Sequence, residues 1–275
     1  MKFRTIFLLL IAFFCFPYGV LGQEKVTPSI DKISYPKYGY YSDYYIKVLD
    51  LVLEKTRDEY GDFQLIPYDV PASTERLRRY LEAGTGVSVL WSTSNKDRDE
   101  RLFPIEFNLL KGLNRYRFLL VRKGEKKQFM NVKSLADLRQ FRAGSGVHWR
   151  DTELFRANNL PTVTSINNNL LPMLSAKRFD YLARGAYEIG NEMEDWPGRF
   201  ELVDSVVLTY SSNYYFYVNN KNSRLADRLR KGLAMASEDG SYDRLFFSIP
   251  SFKYGWNLLY SKSYRVLNLP AAHTD

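Results

Sequence analysis

The apolar positions of the first hundred residues switch between two periods. Tyr44, Val48, Leu49, Val52 and Leu53 recur at i, i+4, i+5, i+8 and i+9. That is the stripe an amphipathic helix turns toward a core, and it predicts a helix over about 42–57. Short β-like runs lie on either side, a mixed one from Val26 to Ser34 that ends at Tyr35-Pro36 and another from Phe63 to Tyr68. Ser73 to Glu82 predicts a further helix, with Leu77, Tyr80 and Leu81 inward and Gly84 and Gly86 as its stop. Val87 to Trp91 is a compact apolar strand. Strand, helix, strand, helix, strand argues for a parallel sheet with crossover helices.

A polar, charged stretch from Ser92 to Arg101 follows, then Phe103-Pro104-Ile105. Tyr116 to Arg122 is β-like and leads into the basic turn Lys123 to Lys127. Ser134-Leu135-Ala136-Asp137 opens a short helix in capping-box style. Gly144-Ser145-Gly146 interrupts the chain before a helix from about Asp151 to Asn158. Leu170 to Lys177 predicts a helix, Phe179 to Leu182 a short strand, Ser212 to Asn219 another strand and Ser223 to Ser237 a helix. The α/β pattern thus restarts near Val132 with no repeat or low-complexity linker between the halves. Two α/β lobes joined by crossing strands account for this better than separate beads.

The N-terminus departs from that pattern. Lys2 and Arg4 precede an apolar run from Ile6 to Phe16, followed by Pro17, Gly19 and Val20-Leu21-Gly22. These are the parts of a secretory signal peptide, with cleavage expected after Gly22. A run of about a dozen residues falls short of the roughly 20 that span a bilayer. The lone Cys15 lies inside it without a small residue just before, which argues against a lipoprotein signal. Cleavage leaves residues 23–275 without cysteine, which excludes a thiol nucleophile or cysteine metal site and suits a periplasm-like compartment. The net charge of +8 loses Lys2 and Arg4 on cleavage. The remaining positive balance admits anionic ligands, but no Lys/Arg run of nucleic-acid type accompanies it, so no nucleic-acid partner is expected.

Candidate chemistry is sparse on the catalytic side. The chain has two histidines, His148 and His273, and no serine in a G-x-S-x-G elbow. No H-x-x-x-H or comparable metal spacing occurs. No catalytic residue, metal or cofactor is therefore expected. Binding has more support. Trp91-Ser92-Thr93-Ser94-Asn95-Lys96-Asp97-Arg98 follows the carboxyl end of a buried strand, where open α/β sheets place their crevices. Thr93 offers a hydroxyl and Arg98 a planar fork for two carboxylate oxygens. The same residues also read as a solvated loop whose arginine pairs with Asp97, Asp99 or Glu100. Gly144-Ser145-Gly146 reads either as amides before a helix N-terminus that hold an anion or as an ordinary loop. His148 and Trp149 follow directly. Aromatic residues make up 16% of the chain and cluster at Tyr35, Tyr38, Tyr40 and Tyr41 and at Tyr214, Tyr215 and Tyr217. Tyr35 and Trp91 lead the rings expected to touch a ligand.

In the order of these segments the chain resembles the extracellular solute-binding proteins, family 3, of polar amino-acid ABC transporters, which have the type II periplasmic binding fold. Thr93 and Arg98 match that family's Thr-x-x-x-x-Arg stretch, whose arginine holds the ligand carboxylate. Phe107 to Val121 and Asn213 to Val218 match its two interlobe strands, and Ser134 to Leu138 match its "S-L-x-D-L" opening of the second lobe. Gly144 to Val147 match its carboxylate-cradling turn, although Val147 stands where a hydroxyl residue is usual. After Arg178-Phe179-Asp180, Gly185 stands where amino-acid binders carry an acid. Arg184 beside it and Glu188 one turn on then suit a second anionic group or an internal pair.

The resemblance implies a two-lobed α/β fold, with 23–115 plus 213–275 as lobe 1 and 116–212 as lobe 2. It implies a ligand site of Arg98, Thr93, Trp91, Tyr35, Gly146, Val147, Trp149, Arg184 and Glu188. The implied function is capture of a small anionic or amino-acid-like solute by an exported, monomeric periplasmic protein serving an inner-membrane permease. Two alternatives share the pattern: a ligand-sensing module for a membrane signalling partner, and a protein-interaction module with a degenerate cleft.

Overall fold

A computed structural model describes residues 30–270. The signal-peptide expectation for residues 1–22, the beginning of the run from Val26, and His273 lie outside the described residues. β1 (Asp31–Pro36) and β2 (Phe63–Tyr68) pair in parallel, with α1 (Ser42–Lys55) and the short α2 (Arg57–Tyr60) between them. α1 buries the predicted stripe together with Tyr45. Its last turn closes where the Thr56 hydroxyl meets the carbonyls of Val52 and Leu53, each at 3.0 Å. α3 (Thr74–Ala83) begins at Ser73, whose side chain accepts from Arg76 N, and stops at Gly84 in the left-handed region.

β3 (Val89–Thr93), α4 (Lys96–Arg101) and β4 (Phe103–Ile105) follow, so the charged stretch after Trp91 is a capped helix rather than a loop. The chain then passes into the second lobe. Its strands are β5 (Tyr116–Arg122), β6 (Ala143–Gly146), β7 (Thr162–Ser165), β8 (Tyr181–Gly185) and β9 (Phe200–Thr209), and its helices α5 (Leu135–Leu138), α6 (Arg150–Ala157), α7 (Asn167–Ser175) and α8 (Ile189–Asp195). It returns to β10 (Tyr214–Val218), which lies between β3 and β4 and antiparallel to both. α9 (Ser223–Glu238) and α10 (Ser241–Phe247) cover the first lobe, and α11 (Pro250–Tyr260) packs against α8 before β11 (Arg265–Asn268).

The second lobe is built on one six-stranded sheet in the order β11-β9-β5-β8-β6-β7. β11 pairs in parallel with β9 at its edge, so residues 265–268 belong to this sheet and not to the first lobe that the sequence assigned to all of 213–275. Only Leu267 of β11 is buried, and a four-residue edge strand with one inward residue leaves no periodicity to read. The crossings themselves are irregular. Leu109 N donates to Tyr214 O at 2.8 Å, Tyr210 N to Arg115 O at 3.2 Å, and the buried Asn114 side-chain amide to Ser212 O at 3.0 Å. These bonds hold the two crossing segments side by side directly below the space between the lobes.

Candidate functional site

A cavity of about 760 Å3 opens between the lobes. The first lobe contributes Tyr40, Tyr41 and Thr93, the crossing contributes Ser212, and the second lobe supplies the rest. Three elements of that lobe position the polar centre: the β8–α8 corner, the end of β6 with the start of α6, and β5. β8 is buried throughout and carries Arg184 one residue before its end, so the guanidinium emerges at the cavity with a side chain only 9% exposed.

The partners of Arg184 fix its plane. Its Nη2 donates to Glu188 Oε1 at 3.2 Å, its Nε lies 2.5 Å from Glu192 Oε1, and its carbon centre sits 4.9 Å over the Trp149 ring. Nη1 makes no hydrogen bond among the described residues. Glu188 is held in turn by Gly185 N, which donates to its Oε2 at 3.0 Å. Burial works against the charge on Arg184, but Glu188 and Glu192 more than offset it, and its pKa stands above the ordinary arginine value. For Glu192 burial dominates. Its carboxyl is pushed up to about 7 despite the neighbouring Arg184, with Glu188 adding to the rise. Its Oε2 is buried without a partner among the described residues.

Arg117, on β5, is the second buried cation of the cavity. It donates through Nε to Asp151 Oδ1 at 2.8 Å, through Nη1 to Asn114 O at 2.7 Å and through Nη2 to the Tyr210 hydroxyl. Its donors are thus committed to the protein, and the group ties α6 and the crossing to the central sheet. Nothing in the local sequence of Tyr116 to Arg122 marks this arginine. The signal available was a charge at the second position of a strand whose next four residues are all apolar, a place that requires a buried partner.

Comparison with known proteins bears on the fold. No protein-family model matches the chain, and no curated protein matches it. Solved structures do. The probable amino-acid ABC transporter extracellular-binding protein ytmK from Bacillus subtilis superposes with a TM-score of 0.62 at 14% identity, over 82% of this chain and 100% of that one. The chain has the two-lobed type II periplasmic binding fold. A putative binding component of an ABC transporter from Wolinella succinogenes, solved complexed with lysine, gives 0.58 at 16% identity over 79% and 95%. An ancestral amino acid-binding protein, described as a precursor of cyclohexadienyl dehydratase, gives 0.57 at 12% over 79% and 94%. The fold therefore includes binding proteins and a forerunner of an enzyme.

Within this binding fold the residues singled out by sequence divide sharply. Thr93, Trp149, Arg184 and Glu188 line the cavity together. Arg98 does not. It lies on α4, donates to its own Thr93 carbonyl and faces the Tyr217 ring 5.8 Å away. Nor does it pair with Asp97, which is held by Arg78 and Arg101 at 2.7 and 2.8 Å. Trp91 and Tyr35 are core residues. Trp91 is stacked between Tyr38 and Tyr45, each centroid 5.3 Å away, and Tyr45 stacks on Tyr214 at 5.1 Å. This four-ring column fills the first lobe beside Thr93, the residue opposite Tyr214 across β3–β10.

The glycine turn is corrected as well. Gly144-Ser145-Gly146 is part of β6, buried between β7 and β8, and Val147 N donates to Ser165 O at 3.1 Å, so that amide is not open to an anion. The glycines serve packing. A Cβ on Gly144 would fall 2.2 Å from the Phe179 ring, and one on Gly146 would fall 2.4 Å from the indole of Trp149. Gly146 thereby lets Trp149 lie on the strand backbone, with Arg184 layered over its ring. Val147 and His148 remain exposed at the rim, and only His148 lines the cavity. Tyr187, Asn191 and Glu192 also line the cavity and carried no sequence signal, because they belong to the β8–α8 corner and a short helix with no apolar period.

Proposed function

We propose that the chain is an exported binding protein that captures a small amino-acid-like solute between its lobes for an ABC-type uptake system and does no chemistry on it. One observation carries this reading: a buried guanidinium at the cavity wall, fixed on three sides and with a donor nitrogen to spare. Such a group is organised before the ligand arrives, so a carboxylate meets it without the entropy cost of ordering a long side chain. The charges of the lining favour a zwitterion. Arg117, Arg150 and Arg184 stand against Asp151, Glu188, Glu192 and Asp195, and Glu192 is neutral for part of the time at pH 7. A solute bearing both signs leaves that balance undisturbed, whereas a dianion or a bare cation disturbs it.

Closure of the lobes would bring Tyr40 and Thr93 onto the solute, the differential contacts that a ligand-driven population shift requires. The lysine-bound Wolinella neighbour agrees with an amine-bearing ligand class. Delivery to a permease, a monomeric state and a periplasmic location belong to the same proposal. Mass spectrometry of the solute released on denaturing the purified protein tests it. An amino-acid-like compound should be recovered from wild type at about one per chain and be lost or strongly depleted from Arg184→Lys, which keeps the charge but not the fork. Equal recovery from both proteins, or none from wild type under any growth condition, would count against it.

A further inference from the structure

Part of the cavity lining is apolar, and it is continuous with the polar centre. Leu170 and Leu182 are buried members of one hydrophobic cluster, and Trp149, Leu171 and Trp196 pack against that cluster while lining the cavity. Leu182 stands two residues before Arg184 on β8, so the two side chains leave the same face of the strand, one step of roughly 7 Å apart. Trp149 bounds the guanidinium on its other side. The first lobe contributes nothing to this wall: its own large rings are stacked upon one another in the Tyr38, Trp91, Tyr45, Tyr214 column. The cavity volume of about 760 Å3 lies in the upper part of the range that holds drug-sized ligands. This apolar surface lies on the α7–α8 side of Arg184, where Asn167, Asn168, Asn191 and Asp195 also line the cavity.

We propose that this side is a subsite for an apolar side arm, which makes the solute an α-amino acid, or a close analogue of one, with a sizeable hydrocarbon side chain. The inference rests on the binding reading above and adds selectivity to it. The carboxylate sits at Arg184, and the side chain lies along Leu171 and the Trp196 ring. A polar side chain laid against Leu171 and the Trp196 ring would lose water and gain no partner from either of them.

Calorimetric titration with a straight-chain series tests it: glycine, alanine, 2-aminobutanoate, norvaline and norleucine, with L-glutamate as the polar comparison. Affinity should rise about fourfold for each methylene that enters the subsite, and L-glutamate should bind more weakly than norvaline. Leu171→Asn, at a partly exposed helix position, should flatten the rise. Binding of glutamate with no gain along the series would overturn the apolar subsite and leave the binding protein intact. A flat series unaffected by Leu171→Asn would do the same. Failure of every compound to bind would remove both.

Discussion

Two arginines follow buried strands in this chain, and their fates differ. Arg98 comes after β3 in a Thr-x-x-x-x-Arg spacing, on a short helix whose outward side chains trade ion pairs, and it folds back onto a backbone carbonyl and a tyrosine ring. Arg184 ends β8, is nearly buried, and is clamped by two carboxylates and an indole at the edge of a cavity. Spacing along the chain made the first look like the binding group. Desolvation and fixed geometry favour the second, because a cation that has already lost its water and its rotamer freedom gives up less on meeting an anion. The first lobe has filled its side of the cleft with stacked rings, and the second carries the polar centre.

The widest separation between the two should appear in stability. Arg184→Met leaves Glu188 and Glu192 without their cation in a partly buried setting, and should cost on the order of 3–5 kcal/mol in urea denaturation. Arg98→Met removes one hydrogen bond and a cation–π contact near the surface, and should cost about 1 kcal/mol. Similar costs for both would erase the distinction. Next in size is a pH effect. The folded state holds the Glu192 proton up to about pH 7, whereas the unfolded chain releases it near 4.5, as an ordinary glutamate does. The folded state therefore binds the extra proton between those values, and stability falls as pH rises through about 4.5 to 7 and is level above. Glu192→Gln should remove that slope and raise stability above pH 7 by on the order of 3 kcal/mol relative to its effect near pH 4. A parallel pair of stability–pH curves would show that Glu192 titrates normally.

The smallest effect concerns the contact between the lobes. The Tyr41 hydroxyl donates to Tyr187 O at 2.8 Å, receives a bond from Asn191 Nδ2 at 2.7 Å, and lies 3.1 Å from Ser251 Oγ. Tyr41→Phe keeps the ring against Phe252, 4.9 Å away, and should lower stability by about 1 kcal/mol, read as a fall of a few degrees in Tm. No change would mean that water replaces the hydroxyl at no cost, and that the first lobe's grip on the β8–α8 corner is made by its rings alone.

Elements whose period is long enough to read were legible along the chain before folding. α1, β2, α3, β5 and α9 fall where their apolar spacing, caps and stops put them, and with them the two-lobed α/β class. Strong local signals survived intact: the capping box at Ser134 and Asp137 is present with both of its bonds. Folding alone brings together the side chains that line the cavity. β6 reads as a glycine turn until Phe179 and Trp149 are placed on it, and α8 and β11 are too short to show a pattern. Arg117 and Arg184 are buried charges in largely apolar strands, and their meaning depends on Asp151, Glu188 and Glu192, which stand on other elements or a turn away. Periodicity is a property of neighbours along the chain. The direction, burial and partners of one charged side chain come from residues that meet only when the chain folds.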